Sequence, residues 1–193
     1  MKKTKIAVFA SGTGSNVEEL VKQSAALNFE VALIVSNKKT APVLAFAKKH
    51  NIKTLLLHKT SFYSKKEETL FPFHQYNIEV VVLAGFLWLI PTFIIDAFPD
   101  KIINIHPSLL PKYGGKGMYG MHVHQAVFEN QEKESGITIH LVSEEYDKGK
   151  VLLQEKADIS MCNSPKEIAE KVLEIEHKNY AKTIANYIAK LVD

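Results

Sequence analysis

Asn104 and His106 are the two residues whose types and spacing are best suited to chemistry. They end a short apolar run, and Pro107 turns the chain directly after them. Residues two apart in an extended chain share a face, so both side chains should point the same way. An amide can donate to a developing oxyanion, and an imidazole can hold or move a proton near neutral pH. The pair favours acyl transfer through a tetrahedral intermediate; the alternative is a hydrogen-bonded histidine at a strand end.

Asp147 is the acid that could act with this pair. It closes the acidic segment Glu144-Glu145-Tyr146-Asp147, which follows the apolar run 137–142. A carboxylate beside His106 would orient the ring and favour the imidazolium, so we expect it to raise the pKa of His106. A solvated acidic turn is the other interpretation of such a segment.

A glycine-containing loop follows the first apolar run and precedes a helical stretch. It reads Gly12-Thr13-Gly14-Ser15-Asn16, and its N–H groups at a helix N-terminus could cradle an anion. A tight turn with a polar cap is the alternative. The loop is not a complete dinucleotide fingerprint, because Val17 replaces the third glycine and Ser36-Asn37 stands where an acid would hold the ribose.

Two further sets of polar residues are candidates for a site. Glu176 lies one turn from Val172 and from Tyr180 on the apolar face of the last helix, so it needs a partner, either a lysine or a ligand. His122 and His124 are two apart, but no cysteine or Glu-x-x-His partner stands near them. We therefore expect no metal site.

These residues must be positioned by a chain in which strand-like runs alternate with helical stretches. Strands are predicted at 5–10, 31–35, 54–57, 80–84, 102–105, 136–142 and 151–155. Helices are predicted from after Asn16 to about Ser24 and at 42–50, 65–76 (broken or bent at Pro72), 91–98, 123–129 and 165–192. The alternation predicts a doubly wound α/β domain with a mainly parallel sheet, spanning residues 1–193. No helix separates the last two strands, so one of them should be antiparallel. Ligands bind at the carboxyl ends of such strands, where the candidate residues lie.

Composition limits the possible partners. The 193 residues are 46% hydrophobic and 23% charged, as in ordinary globular proteins. The net charge is +3, and all 24 basic residues are lysine. A mild excess suits a small anionic substrate rather than nucleic acid, and the lack of arginine excludes a bidentate guanidinium clamp. The single Cys162, with no apolar run long enough for a membrane span or a signal peptide, predicts a cytoplasmic protein away from membranes.

Three strings of sequence show a family resemblance. Ala84-Gly85-Phe86, the run 104–113 (Asn-Ile-His-Pro-Ser-Leu-Leu-Pro-Lys-Tyr) and Asp147-Lys148-Gly149 resemble the folate-dependent formyltransferases, and within them the branch that acts on glycinamide ribonucleotide. The resemblance extends from the loop 11–16 to Glu176-His177. It implies a Rossmann-like formyltransferase fold and transfer of the formyl group of 10-formyltetrahydrofolate, a co-substrate, to the ribonucleotide amine in purine biosynthesis, with no metal.

The resemblance also implies roles for individual residues. Asn104 and His106 match the catalytic pair, and Asp147 matches the acid that raises the pKa of the histidine. The ribonucleotide-binding positions are Gly14, Ser15, Asn16 and Glu176. The folate-binding positions are Lys65, Leu87, Trp88, Leu89, Ile90, Asn104 and Ser143.

The chain departs from the family pattern in two places. Trp88 stands where the family usually has arginine, so a basic contact to the folate tail falls on Lys65 or Lys66. The segment 114–120 is longer than usual, and its four glycines suit a mobile lid.

Three other functions stay open at this point: a hydrolase of the same folate, a formyltransferase for another amine, or a nucleotide-binding module without catalysis. The sequence leaves the oligomeric state open.

Overall fold

The computed structural model describes residues 3–192, in which seven strands form one sheet. In sequence order the strands are β1 (Thr4–Phe9), β2 (Phe29–Ser36), β3 (Lys53–Leu56), β4 (Val80–Leu83), β5 (Ile102–His106), β6 (Glu134–Leu141) and β7 (Val151–Asp158). Their order across the sheet is β3-β2-β1-β4-β5-β6-β7. Strand β6 pairs antiparallel with both β5 and β7, and the other pairs are parallel. This confirms the predicted mainly parallel, doubly wound sheet with one antiparallel strand.

Seven helices of the described chain cover the two faces of this sheet. They are α1 (Ser15–Ser24), α2 (Pro42–Lys49), α3 (Lys59–Ser64), α4 (Lys66–Gln75), α5 (Thr92–Ala97), α6 (Met121–Glu129) and α7 (Pro165–Val192). Within residues 3–192, no helix combines the length and apolar character needed to cross a bilayer.

The alternation of side chains along the strands divides the core into two layers. In β1, Ile6 and Val8 face a cluster completed by α1, α2, α6 and α7, whereas Ala7 and Phe9 face a cluster completed by α3, α4 and α5. All four residues of β4 are buried, as expected of a central parallel strand that is covered on both faces. The carboxyl ends of β1, β4 and β5 therefore lie together at one edge of the sheet.

Two helical predictions were incomplete or wrong. Helix α3 was not predicted, because its only fully buried anchor is Phe62 and six residues show no clear period. Helix α4 continues through Pro72, so the predicted break at this proline is wrong. Leu70 and Phe73 on either side of the proline are buried in the core, and this packing holds the helix despite the missing N–H.

Helix α7 is joined to the sheet by a buried tyrosine next to the candidate site. The Tyr180 hydroxyl lies within hydrogen-bond distance of the carbonyl oxygens of Leu83 (2.9 Å) and Ile103 (3.2 Å). Leu83 is the last residue of β4, and Ile103 of β5 directly precedes Asn104. The hydroxyl thus fixes the position of α7 relative to β4 and β5, the two strands that lead into the site.

We expect Tyr180→Phe to lower the free energy of unfolding by about 1–2 kcal/mol, because the buried carbonyls lose their donor. The matched control is Tyr187→Phe, since the Tyr187 hydroxyl also donates to a backbone carbonyl, that of Asp100 at 2.9 Å, but at an exposed position. Urea unfolding of both variants measures the difference. Equal losses would show that the buried hydroxyl has no special structural role.

Candidate active site

A cleft of about 580 Å³ opens at the carboxyl edge of the sheet. Its walls come from the loops after β1, β2, β4 and β5 and from the loop that joins β6 to β7. Among the residues that line it are Gly12, Gly85, Trp88, Asn104, His106 and Asp147. The structure therefore brings Asn104, His106 and Asp147 to one cavity, at the position where ligands of α/β sheets bind.

The Asp147 carboxylate is the point where the polar groups of the cleft meet. Its side chain is only 11% exposed, and Oδ2 lies 3.5 Å from Nδ1 of His106. The same oxygen accepts a hydrogen bond from the backbone N–H of Gly115 at 2.8 Å. The other oxygen, Oδ1, lies 3.6 Å from Nε2 of His140. One carboxylate thus contacts two imidazoles and the start of the segment 114–120.

His140 sets the orientation of Asn104. Nδ1 of His140 is 2.8 Å from the carbonyl oxygen of Leu141, and a carbonyl can only accept, so Nδ1 bears the proton. Nε2 of the same ring lies 3.1 Å from Nδ2 of Asn104 and 3.6 Å from Oδ1 of Asp147, so it faces both side chains. The contact with Asn104 holds the amide in place at the end of β5.

His106 is held from both sides of its ring. Nε2 lies 2.8 Å from the carbonyl oxygen of Tyr113, so this nitrogen donates its proton there. Nδ1 faces Asp147, which favours a second proton on the ring. Any substrate that takes the Nε2 proton must replace the Tyr113 carbonyl as its acceptor.

The pKa of His106 differs from the sequence expectation. We expected Asp147 to raise it, and the carboxylate and the Tyr113 carbonyl do act in that direction. Burial of the ring, however, lowers the pKa of His106 by more than these contacts restore, so the pKa lies below its usual value. The expectation counted the charge and could not count the desolvation.

The pKa of Asp147 is also shifted, and here the contacts outweigh the effect of burial. Burial raises the pKa of Asp147, but its contact with His140, the charge on His106 and the Gly115 N–H outweigh burial, and the pKa lies below its usual value. The site therefore holds an ionised carboxylate beside a histidine that prefers to be neutral.

We expect Asp147→Asn to move the His106 midpoint further down, because it removes the charge that favours the imidazolium and keeps the shape. NMR titration of the His106 ring measures this. Glu144→Gln, which neutralises an exposed carboxylate of the same loop, is the control and should leave the midpoint in place. The pKa of His106 in the folded protein lies below the unfolded value of about 6.5, so the fold favours the neutral ring. The stability of the fold therefore decreases as the pH falls from about 6.5 to the folded pKa of His106. Coincident midpoints in wild type and Asp147→Asn would contradict the assigned contact.

The residues proposed for the ribonucleotide lie beside the cleft rather than in its lining. Gly14 precedes α1 with φ +85°, and a Cβ there would lie 2.5 Å from Cγ2 of Val43, so a side chain at this position would displace the loop. Ser15 begins α1. Asn16 donates from Nδ2 to Oε2 of Glu176 at 2.6 Å.

Glu176 is paired with an amide and not with a lysine. Its side chain is buried, and this burial raises the pKa of Glu176 to about 7, although the hydrogen bond from Asn16 opposes the shift. Oδ1 of Asn16 is itself buried and has no partner in the described chain. The two residues form a buried polar pair at the N-terminus of α1, with unused hydrogen-bonding capacity.

We expect the stability of the wild type to fall as pH rises from about 4.5 to about 7, relative to Glu176→Gln. A carboxyl whose folded pKa is raised contributes stability below its unfolded pKa, and that contribution is lost as pH rises through the folded value of about 7. The difference is on the order of 3 kcal/mol, at about 1.4 kcal/mol per pKa unit. Urea unfolding across this pH range measures it, with Glu174→Gln on the exposed side of α7 as control. Parallel curves for wild type and Glu176→Gln would contradict the burial of an ionisable group.

The folate positions separate into two groups. Six of them line the cleft: Leu87, Trp88, Leu89, Ile90, Asn104 and Ser143. Lys65 does not; it lies between α3 and α4, where its ammonium contacts the Glu68 carboxylate at 2.8 Å on the exposed surface. The role of Lys65 in folate binding stays a prediction, since this exposed ion pair is weak and leaves the ammonium accessible. Trp88 packs with Phe62 and Phe86 at ring distances of 5.6 and 6.2 Å, which makes one apolar wall.

The two histidines of α6 differ in their exposure to solvent. His122 is exposed, with Nδ1 3.3 Å from the carbonyl oxygen of Gly117, whereas His124 is buried. Burial, together with the nearby His106, lowers the pKa of His124 to about 4. Among residues 3–192, no three histidine, cysteine or acidic side chains are arranged so that they could hold a metal ion.

His140 is the residue that sequence reasoning missed. No motif surrounds it in the sequence, yet it contacts both Asn104 and Asp147. The register explains its place, since His140 pairs directly with Asn104 across β5 and β6. Aligning the two predicted strands as an antiparallel pair would have given this signal, because opposite residues share a face.

Comparison with known proteins places this geometry in a family context. A family model described as formyl transferase matches residues 4–184. The chloroplastic phosphoribosylglycinamide formyltransferase of Arabidopsis thaliana is 40% identical over 193 residues, which cover 95% of this chain and 65% of that protein. The chain thus spans less than two thirds of the length of this plant relative.

Bacterial relatives match over more of their length. The phosphoribosylglycinamide formyltransferase of Escherichia coli K12 is 33% identical over 185 residues, covering 93% of this chain and 85% of that protein. The crystal structure of the phosphoribosylglycinamide formyltransferase from Bacillus halodurans superposes with a TM-score of 0.87 at 32% identity, covering 97% of each chain.

Proposed function

Because the chain belongs to the formyl transferase family, we propose that it transfers the formyl group of 10-formyltetrahydrofolate to the amine of glycinamide ribonucleotide, a step of purine biosynthesis. The observation that supports this most strongly is the pair Asn104 and His106 at the end of β5, facing one cleft with Asp147 behind the ring. An amide donor and a proton-holding imidazole at one point suit an oxyanion that forms beside a transferring nitrogen.

The proposed reaction proceeds by addition and elimination. The free amine of the ribonucleotide attacks the formyl carbon, and the electron pair of the C=O bond moves to oxygen. Asn104 and protonated His106 stabilise this oxyanion. The bond between the formyl carbon and N10 of the folate then breaks; the attacking nitrogen loses a proton and N10 gains one. His106 with Asp147 moves that proton, directly or through water.

The electrostatics of the site suit this role. Burial keeps the pKa of His106 below its usual value, so the imidazolium, once formed, readily gives up its proton. Asp147 remains ionised beside the ring and stabilises the charged form when the oxyanion appears. The Nε2–H that now points to the Tyr113 carbonyl is the donor that turns to the formyl oxygen.

The two substrates would occupy different walls of the cleft. The apolar wall of Leu87, Trp88 and Ile90 suits the flat pteridine ring of the folate. The N-terminus of α1 suits the phosphate of the ribonucleotide, with Asn16 and Glu176 beside it. The cytoplasm remains the predicted location, since a lone thiol at Cys162 suits a reducing compartment.

An assay of formate and tetrahydrofolate release, with and without the ribonucleotide, separates this function from hydrolysis. Transfer requires the amine and passes the formyl group to it, so tetrahydrofolate should form only when glycinamide ribonucleotide is present, and no formate should be released. Equal turnover without the amine would identify a hydrolase. Turnover with another amine in its place would identify a different formyltransferase, and binding of NAD without turnover would support a nucleotide-binding module.

We expect Asn104→Ala and His106→Ala each to lower kcat by about a hundredfold or more, the scale for losing an oxyanion donor or an acid–base group. His122→Ala is the matched control, because His122 is an exposed histidine of α6 that does not line the cleft. Steady-state kinetics on folded variants measure the effect. Near-normal kcat in either site variant would remove that residue from the mechanism.

A further inference from the structure

The carbonyl group of Tyr113 and the carboxylate of Asp147 approach opposite nitrogens of the His106 ring. The Tyr113 oxygen lies 2.8 Å from Nε2, and Oδ2 of Asp147 lies 3.5 Å from Nδ1. A neutral imidazole has a single N–H, so it can donate to only one of these two oxygens. The choice matters for the proposed reaction, because the N–H that turns to the formyl oxygen is the one on Nε2.

Tyr113 presents its carbonyl from an unfavourable backbone conformation. Its φ is +55°, in the left-handed region that a residue with a bulky side chain seldom adopts. Such a conformation persists only where the surrounding structure enforces it. The contacts that hold Tyr113 therefore decide where its carbonyl points.

The segment that precedes Tyr113 is fixed by two buried hydroxyl groups. Oγ of Ser108 donates to the carbonyl oxygen of Lys112 at 2.7 Å. Oγ1 of Thr138, on β6, donates to the carbonyl oxygen of Ser108 at 2.7 Å and accepts from the N–H of Leu110 at 3.0 Å. These bonds tie the chain to the sheet up to Lys112, so the side chain of Tyr113 remains to be held.

Glu132 holds that side chain from outside the cleft. Oε1 of Glu132 accepts a hydrogen bond from the Tyr113 hydroxyl at 3.0 Å and lies 2.9 Å from Nζ of Lys112. The N–H of Glu132 reaches the carbonyl oxygen of the buried Val127 at 3.3 Å, which ties this turn to α6. The Tyr113 ring packs against the hydrophobic core between these two ends. Glu132 is thus an anchor for Tyr113 that does not itself line the cleft.

We propose that Glu132 is a positioning residue for the reaction: by holding Tyr113 it keeps the Tyr113 carbonyl against Nε2 of His106, and the proton of the neutral ring on Nε2. Without this anchor the proton would favour Nδ1, where the Asp147 carboxylate is a charged acceptor. Nε2 would then present a lone pair to the formyl oxygen instead of an N–H. The catalytic consequence rests on the proposed function, whereas the position of the proton does not.

Nitrogen-15 NMR of the neutral His106 ring shows which of its nitrogens bears the proton. The wild type should carry it on Nε2. Glu132→Ala and Tyr113→Phe should each shift the population toward Nδ1, because both remove the anchoring hydrogen bond. Glu132→Gln should restore the wild-type tautomer, since its amide oxygen can still accept from the hydroxyl. The matched control is Lys112→Met, which removes the other partner of Glu132 and retains the Tyr113 contact.

Steady-state kinetics measure the consequence for the reaction. Glu132→Ala and Tyr113→Phe should each lower kcat by roughly tenfold, the scale for losing a hydrogen bond to a charged group, with both KM values within about twofold. Glu132→Gln should recover most of this loss. A shifted tautomer with wild-type kcat would show that Glu132 has no positioning role in the reaction.

The NMR result also tests the anchor without any substrate. A wild-type proton on Nδ1, or an unchanged tautomer in both Glu132→Ala and Tyr113→Phe, would overturn the proposal. An equal shift in Lys112→Met would overturn it too, because general loosening of the loop would then be the cause. The expected NMR result in a protein that transfers no formyl group would contradict the proposed function alone, and the effect of Glu132 on the His106 tautomer would stand.

Discussion

The site depends on one buried carboxylate that stays ionised. Burial alone would raise the pKa of Asp147, and its contacts with His140, His106 and the Gly115 N–H reverse that shift. Each contact also fixes the group that provides it: one orients His106, one orients the ring that holds Asn104, and one anchors the segment 114–120. A buried charge satisfied from three directions is costly to disturb, so it gives the whole site a single arrangement.

The position of the Asp147 carboxylate depends on a close approach between two backbone segments, at Gly149 and at Leu141. The turn that bears Asp147 returns to β6 at Gly149, where a Cβ would lie 1.7 Å from the carbonyl oxygen of Leu141. The N–H of Leu141 donates to the carbonyl oxygen of Lys150 at 2.9 Å, which closes the turn against the strand. Asp147 itself has φ +56°, a left-handed conformation that aspartate tolerates better than most residues. Only a glycine at 149 lets the chain pass this close to Leu141, so the turn that bears Asp147 requires a glycine two residues after the acid.

Much of this arrangement could be predicted from the sequence because it depends on local patterns. The alternation of apolar runs and helical stretches predicted the sheet, and the spacing of Asn104 and His106 predicted their shared face. What could not be predicted depends on pairing and burial. His140 belongs to the site through its register with β5, and the pKa of His106 is lowered by an enclosure that no motif describes.

The central claim is that Asp147 and Asn104 act as one unit through His140, although no direct contact joins them among the described residues. The most direct measurement is a double-mutant cycle in kcat/KM with Asp147→Asn, Asn104→Ala and the double variant. Residues that work as a unit show strongly non-additive losses. The account predicts that the double variant loses about as much as the more impaired single variant. Losses that multiply would contradict it, since Asp147 and Asn104 would then contribute independently.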